Sequence, residues 1–157
     1  MIRFSVAALE KSPVVLAGTL PCAFLELDAD PVFAPTAPVE YELTGKLLSG
    51  GGVLVSGHCA TKLRATCGRC LNEFELPLSA DLQLFFELEE GQEELEVGED
   101  VRAELLLGLP MNPGCRPDCK GLCPVCGTDR NLRDCGCAAA PTAGKSPWSA
   151  LDDLKLD

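Results

Sequence analysis

The stretch Val53-Leu54-Val55-Ser56-Gly57-His58-Cys59-Ala60-Thr61-Lys62-Leu63-Arg64-Ala65-Thr66-Cys67 decides the fold class. Leu63 and Ala65 fall on the side of Cys59 and opposite Lys62 and Arg64, the period-two pattern of a strand with one buried face. Upstream, Val39, Tyr41 and Leu43 alternate with Glu40, Glu42 and Thr44, and Gly50-Gly51-Gly52 supplies a flexible turn, so the two segments read as a hairpin. Downstream, Phe74, Leu76 and Leu78, then Leu82, Leu84, Phe86 and Leu88, continue the alternation in two further runs. Pro77 belongs at an edge or bend, because it has no N–H for a ladder. Several strands joined by short turns predict a mainly β (α+β) fold: an antiparallel, partly barrel-like sheet with one or two short helices.

Residues 1–38 carry Pro13, Pro21, Pro31, Pro35 and Pro38, so strands there are expected to be short, at edges or broken by turns. Glu87 to Asp100 holds eight acidic residues and reads as a solvated, mobile loop. Asp100 is a candidate cap for a short helix over 100–109, with Val101, Leu105, Leu106 and Leu109 at helical spacing and Pro110 as its stop. The expected organisation is a β-rich domain over 1–110, a cysteine-rich module over 111–137, and a linker with a short amphipathic tail over 138–157. In the tail, Ser146 and Pro147 favour a helix start that places Trp148, Leu151 and Leu154 on one side.

The 157 residues suffice for one domain with a core plus a small module. With 24 Asp and Glu against 13 Lys and Arg, the formal net charge is -11. The whole-molecule field therefore repels nucleic acid and attracts basic partners, and any RNA contact must be local. The N-terminal apolar run is too short and interrupted for a signal sequence, and no stretch of about 18 apolar residues occurs. The expected location is cytoplasmic, away from membranes.

Ten cysteines could suggest a disulfide scaffold, but eight of them come as close pairs: Cys67 with Cys70, Cys115 with Cys119, Cys123 with Cys126, and Cys135 with Cys137. Zinc takes four ligands tetrahedrally, and two cysteines separated by two residues on a tight turn offer two thiolates to one ion. Four pairs make two sites. Cys123, Cys126, Cys135 and Cys137 close a compact knuckle shaped by Pro124 and Gly127. Cys67, Cys70, Cys115 and Cys119 would form a second site that clamps the sheet to a C-terminal zinc module. Iron is the alternative occupant, since tetrahedral sulfur sites hold either metal. A site of four cysteines leaves no open position for substrate or water, so its expected role is folding, and no enzyme is expected. Cys22 and Cys59 lack near partners and read as buried small hydrophobes.

His58 and Cys59 make no catalytic dyad, because adjacent strand residues point to opposite faces. No phosphate loop or nucleophile elbow appears, and no small-molecule substrate is implied. One asymmetry stands out: no Asp or Glu lies between Leu43 and Asn72, while Lys46, Lys62, Arg64 and Arg69 do. With Arg116, Lys120, Arg130 and Arg133 they are candidates for a basic, RNA-binding face beside the metal sites. Taken alone, the charges favour ordinary solvation of alternate strand positions.

The stretch Cys67-Gly68-Arg69-Cys70-Leu71-Asn72-Glu73-Phe74-Glu75-Leu76-Pro77-Leu78, then Leu107-Gly108-Leu109-Pro110-Met111-Asn112-Pro113-Gly114-Cys115 and Gly121-Leu122-Cys123-Pro124-Val125-Cys126-Gly127, closely resembles the YceD family. The resemblance spans residues 53–137 and extends to both ends, including the Pro147-Trp148 tail. It implies a non-enzymatic role in 23S rRNA accumulation and large ribosomal subunit assembly, in bacteria and plastids. It also implies a partner in the large-subunit precursor, through 23S rRNA, basic ribosomal proteins or both. The carried-over positions are the eight paired cysteines. Some relatives lack the last four, which supports treating Cys67, Cys70, Cys115 and Cys119 as one unit. Arg130 departs from the family, where leucine is common.

Two competing readings come from other classes. One is a thiol–disulfide redox protein using Cys67 and Cys70, although that pair lacks the βαβ context such couples use. The other is a protein-only adaptor docking through Trp148, Leu151 and Leu154.

Overall fold

A computed structural model describes residues 1–137. The linker and the tail with Trp148, Leu151 and Leu154 lie outside the described residues. The elements run β1 (Arg3–Ser5), α1 (Val6–Leu9), β2 (Val14–Leu20), β3 (Phe33–Pro35), β4 (Val39–Leu47), β5 (Gly52–Thr66), β6 (Glu73–Glu87), β7 (Glu94–Glu96) and α2 (Gly98–Leu107), with a 3-10 turn over Cys22–Leu25. By packing, the chain divides into two compact units. One comprises Met1–Gly68 with Asn72–Cys115, and the other Arg69–Leu71 with Arg116 onward.

In the first unit the predicted hairpin forms between β4 and β5, in a register from Glu40 opposite Ala60 to Leu47 opposite Val53. Its turn is closed by Leu48 N–H donating to the Gly52 carbonyl at 2.8 Å and Gly51 N–H to the Leu48 carbonyl at 3.0 Å. Along β5, Val53, Val55, Cys59, Leu63 and Ala65 are fully buried while His58, Lys62 and Arg64 are exposed, as the period-two reading requires. The two runs expected after Cys70 are one strand. β6 pairs antiparallel with β5 along its whole length, from Glu73 opposite Thr66 to Glu87 opposite Gly52. Pro77 sits inside it without breaking it, because among the described residues β6 has β5 as its one strand partner and a proline's missing donor can face the other edge.

β2 pairs with the far side of β4, and β3 continues that side of β5 beyond β4. The five strands are antiparallel, but no pairing among the described residues joins β2 to β6. The sheet is therefore open, and the partly barrel-like expectation is corrected. Closure would need the two outer strands to hydrogen-bond each other.

The acidic run is not the free loop that its composition suggests. Within it, β7 pairs with β1, placing Leu95 opposite Phe4. Leu95 and Val97 are buried together with Ile2 and Phe4. The helix begins two residues earlier than expected and ends at Leu107. Its capping position is Val97, which makes no side-chain cap, so Asp100 lies in the first turn beside Glu99 rather than at the cap. There both carboxylates complement the positive end of the helix dipole. Val101 and Leu105 face the core with Leu43, Leu78 and Leu82, and each such buried aliphatic side chain contributes roughly 1.5–3 kcal/mol. Of the two lone cysteines, Cys59 is fully buried as expected, whereas Cys22 is only half-buried.

Candidate metal centres

β5 ends at Thr66 and delivers Cys67 to a turn over residues 68–70 before β6 begins. Cys67 N–H donates to the Asn72 carbonyl at 2.9 Å, and Gly68 N–H to the Pro113 carbonyl at 2.8 Å. The second bond draws the segment ahead of Cys115 against the turn. A side chain at position 68 would meet the Asn112 carboxamide oxygen at 2.1 Å and would have to displace that side chain.

In the second unit, Leu122 N–H donates to the Arg69 carbonyl at 2.9 Å. The chain then folds back on itself: Cys123 N–H reaches the Thr128 carbonyl at 2.8 Å, Gly127 N–H the Cys123 carbonyl at 2.8 Å, and Arg130 N–H the Gly121 carbonyl at 3.0 Å. Cys67 and Cys123 thus each donate to the carbonyl five residues ahead, a shared backbone plan for two Cys-x-x-Cys turns.

The sulfur atoms of the eight paired cysteines gather in two groups of four. The four Sγ atoms of Cys67, Cys70, Cys115 and Cys119 lie within 4.8 Å of one another, and so do those of Cys123, Cys126, Cys135 and Cys137. A tetrahedral ion with Zn–S bonds of about 2.3 Å holds its sulfurs about 3.8 Å apart, so both sets suit one ion. Cys67, Cys70 and Cys119 are buried, whereas in the knuckle Cys126 is exposed.

The knuckle is built for thiolates. Hydrogen bonds from the backbone of Cys126, then of Val125, hold the Cys123 thiol below its ordinary value. The Cys126 thiol is pushed down to about 6, first by its hydrogen bond with the Thr128 hydroxyl at 3.2 Å and then by the Thr128 backbone. Cys137, which shares hydrogen bonds with Cys126 and Cys135, is pushed up to about 12. Cys126 and Cys137 are thereby pushed in opposite directions. By contrast, burial pushes the Cys59 thiol up, and it points at the Ala80 carbonyl at 3.8 Å.

Sequence reasoning missed Asn131. Its Nδ2 donates to Cys119 Sγ at 3.4 Å, while its Oδ1 accepts the Lys120 N–H at 2.8 Å. Asp129 and Asn131 after Gly127 are recognisable as turn residues, but nothing in the spacing discloses a contact with a sulfur.

The candidate basic residues are not one uniform face. Lys62 pairs with Glu75 at 3.1 Å and Arg64 with Glu73 at 3.6 Å, across the β5–β6 ladder. Arg116 lies 3.5 Å from Asp118, and the Arg69 guanidinium donates to the Pro117 and Cys119 carbonyls at 3.4 Å. Lys46, Lys120, Arg130 and Arg133 are exposed and have no carboxylate partner among the described residues. The backbones at Lys120 and Arg130 are neighbours, through the bonds from Lys120 N–H to Asn131 and from Arg130 N–H to Gly121.

An open antiparallel sheet and two four-cysteine clusters able to hold metal define a β-rich cysteine-cluster protein. The family model described as large ribosomal RNA subunit accumulation protein YceD matches residues 55–155, and the chain belongs to that family. Among curated proteins it is similar to uncharacterized protein Rv2926c of Mycobacterium tuberculosis and uncharacterized protein Mb2951c of Mycobacterium bovis, at 37% identity in each case. Each match covers 48% of this chain and 44% of the relative, so the matched region spans less than half the length of those relatives. No solved structure matches the chain. No helix among the described residues is long and apolar enough to cross a membrane.

Proposed function

We propose that this chain is a non-enzymatic, zinc-binding factor for 23S rRNA accumulation and assembly of the large ribosomal subunit in the cytoplasm. The carrying observation is the family match over residues 55–155, whose printed description names accumulation of the large ribosomal subunit RNA. The sulfur clusters support the zinc reading. Cys67, Cys70, Cys115 and Cys119 would hold one ion, and Cys123, Cys126, Cys135 and Cys137 the other. Zinc in four-thiolate sites supplies folding free energy and leaves no coordination position for a substrate.

The partner in this reading is a large-subunit precursor. Lys120, Arg130 and Arg133, whose charges no carboxylate among the described residues answers, are the side chains we assign to phosphate contacts, with Lys46 a further candidate. Lys62, Arg64 and Arg116 would first have to leave their carboxylates, which weakens their claim. The acidic remainder of the molecule suits basic ribosomal proteins. The redox alternative for Cys67 and Cys70 gains no support, since the turn that carries them opens no helix and their sulfurs are gathered with two further cysteines.

Depletion of the protein, followed by gradient sedimentation and 23S rRNA quantification, tests the proposal. Reduced mature 23S rRNA and reduced large subunits are expected, with small subunits spared. Unchanged large-subunit and 23S levels would remove the idea.

A further inference from the structure

Asn131 belongs by sequence to the loop that the knuckle cysteines close, between Cys126 and Cys135, yet its side chain ends on a sulfur of the other cluster. Nδ2 donates to Cys119 Sγ at 3.4 Å and to Asp129 Oδ1 at 2.7 Å. Asp129 Oδ1 in turn accepts the Asn131 backbone N–H at 2.8 Å, and Asn131 Oδ1 accepts the Lys120 N–H at 2.8 Å. The carboxamide is thereby held on both its polar atoms, with one N–H directed at the thiolate. The loop that carries it is shaped by Cys123 N–H on the Thr128 carbonyl and by the Leu122–Asp129 bridge.

We propose that Asn131 is a positioning residue for metal at the Cys67, Cys70, Cys115 and Cys119 cluster, and that through it the two metal sites bind cooperatively. An N–H donated to a metal-bound thiolate orients the ligand and disperses its charge, and such outer partners change metal affinity by about 10- to 100-fold. Gathering Cys123, Cys126, Cys135 and Cys137 around one ion closes the loop that carries Asn131. An ion in the knuckle therefore stabilises the donor that the other ion's ligand uses. Linkage makes the effect mutual: each ion raises the affinity for the other by the same factor. The inference rests on reading both clusters as metal sites, and its test separates the two ideas.

The full-length chain is loaded with zinc and, separately, with cobalt(II). Metal content is measured by mass spectrometry, affinity by chelator competition, and the cobalt sites by their sulfur-to-metal charge-transfer absorption. Three variants are compared with the unaltered chain: Asn131→Ala, Asn131→Asp, and the knuckle-breaking pair Cys126→Ser with Cys137→Ser. The unaltered chain is expected to hold two ions. Asn131→Ala should still hold two, with one bound about tenfold more weakly and its charge-transfer band moved to lower energy. Asn131→Asp keeps the acceptor for Lys120 but places a carboxylate near the sulfur, and should lose at least as much. The double-serine variant should hold one ion, weakened to the same extent as in Asn131→Ala. An unaltered chain that binds no metal would sink the metal reading itself. Two ions with affinities and spectra unchanged in Asn131→Ala would sink only the coupling. Weakening in Asn131→Asp but not in Asn131→Ala would show charge repulsion alone and overturn the role of the donated hydrogen bond.

Discussion

Leu71 and Gly127 occupy the same place in two copies of one turn. Each follows the second cysteine of a Cys-x-x-Cys pair, and each has a left-handed backbone, with φ of 61° at Leu71 and 71° at Gly127. Glycine adopts that conformation without steric cost, whereas a side chain there costs roughly 1–2 kcal/mol. Leu71 gains little in return, since it is 62% exposed. Leu71→Gly should therefore raise stability by about 1 kcal/mol, after allowing for glycine's greater freedom in the unfolded chain. Denaturant midpoints of the metal-loaded protein check this, and a loss of stability would show that the leucine side chain makes a contact worth more than the backbone strain.

Metal uptake by the knuckle should depend on pH in two stages. Without metal, Cys137 holds its proton to about 12 and Cys126 releases its own at about 6. Coordinated cysteines are thiolates. At pH 7.5 binding must expel the Cys137 proton, so affinity rises with pH. Below pH 6 Cys126 is also protonated in the metal-free state, one more proton is displaced, and the slope of log affinity against pH should steepen by about one. Zinc competition between pH 5 and 8 on a chain lacking the other cluster, Cys67→Ser with Cys70→Ser, measures it. A slope unchanged through pH 6 would refute the assignment.

Alkylation should divide the two cysteines that lie outside the clusters. Burial raises the Cys59 thiol, and none of its surface is exposed, so it presents neither thiolate nor access. Cys22 is only partly buried. In metal-loaded native protein, iodoacetamide followed by peptide mass spectrometry should label Cys22 and leave Cys59 unmodified until denaturant is added. Early labelling of Cys59 would mean that β5 opens locally far more readily than its neighbours' burial implies.

The helix is held to the sheet by few side chains, which makes each one expensive to lose. Leu105 is fully buried among the core residues that β4, β5 and β6 contribute. Leu105→Ala should cost about 2–5 kcal/mol through lost burial and the cavity left behind. Leu107→Ala, at a position 77% exposed, should change stability by less than about 0.5 kcal/mol. Equal effects in thermal unfolding would contradict the packing described.

The hairpin and the knuckle cluster are legible because each depends on local periodicity or spacing, whereas Cys115 and Cys119 fall to Cys67 and Cys70 only as the remaining pair. Val39 to Leu43 and Cys59 to Ala65 alternate over enough residues to show which face is buried, and a Cys-x-x-Cys turn is a local object. β7 was not legible: Leu95 and Val97 are isolated among glutamates, and a three-residue strand is too short to display a period. Its burial comes from Phe4 and Ile2, which no local pattern could supply. β6 reads as two runs because Ser79, Ala80 and Asp81 interrupt its large apolar residues, while Pro77, expected at an edge or bend, stands inside the single strand. Asn131 was invisible because its sulfur partner lies outside its own loop.

The pairing of Arg3–Ser5 with Glu94–Glu96 also sets a timetable for the newborn chain. Phe4 leaves the ribosome before Leu95 and must wait for it, since Leu95 lies about ninety residues behind. At about 5–20 residues per second that is a delay of roughly 5–18 s, during which an apolar strand stays uncovered. Whatever shelters newly made proteins in the cell should engage this one at the strand that carries Phe4, and should let go once the short strand near residue 95 has emerged.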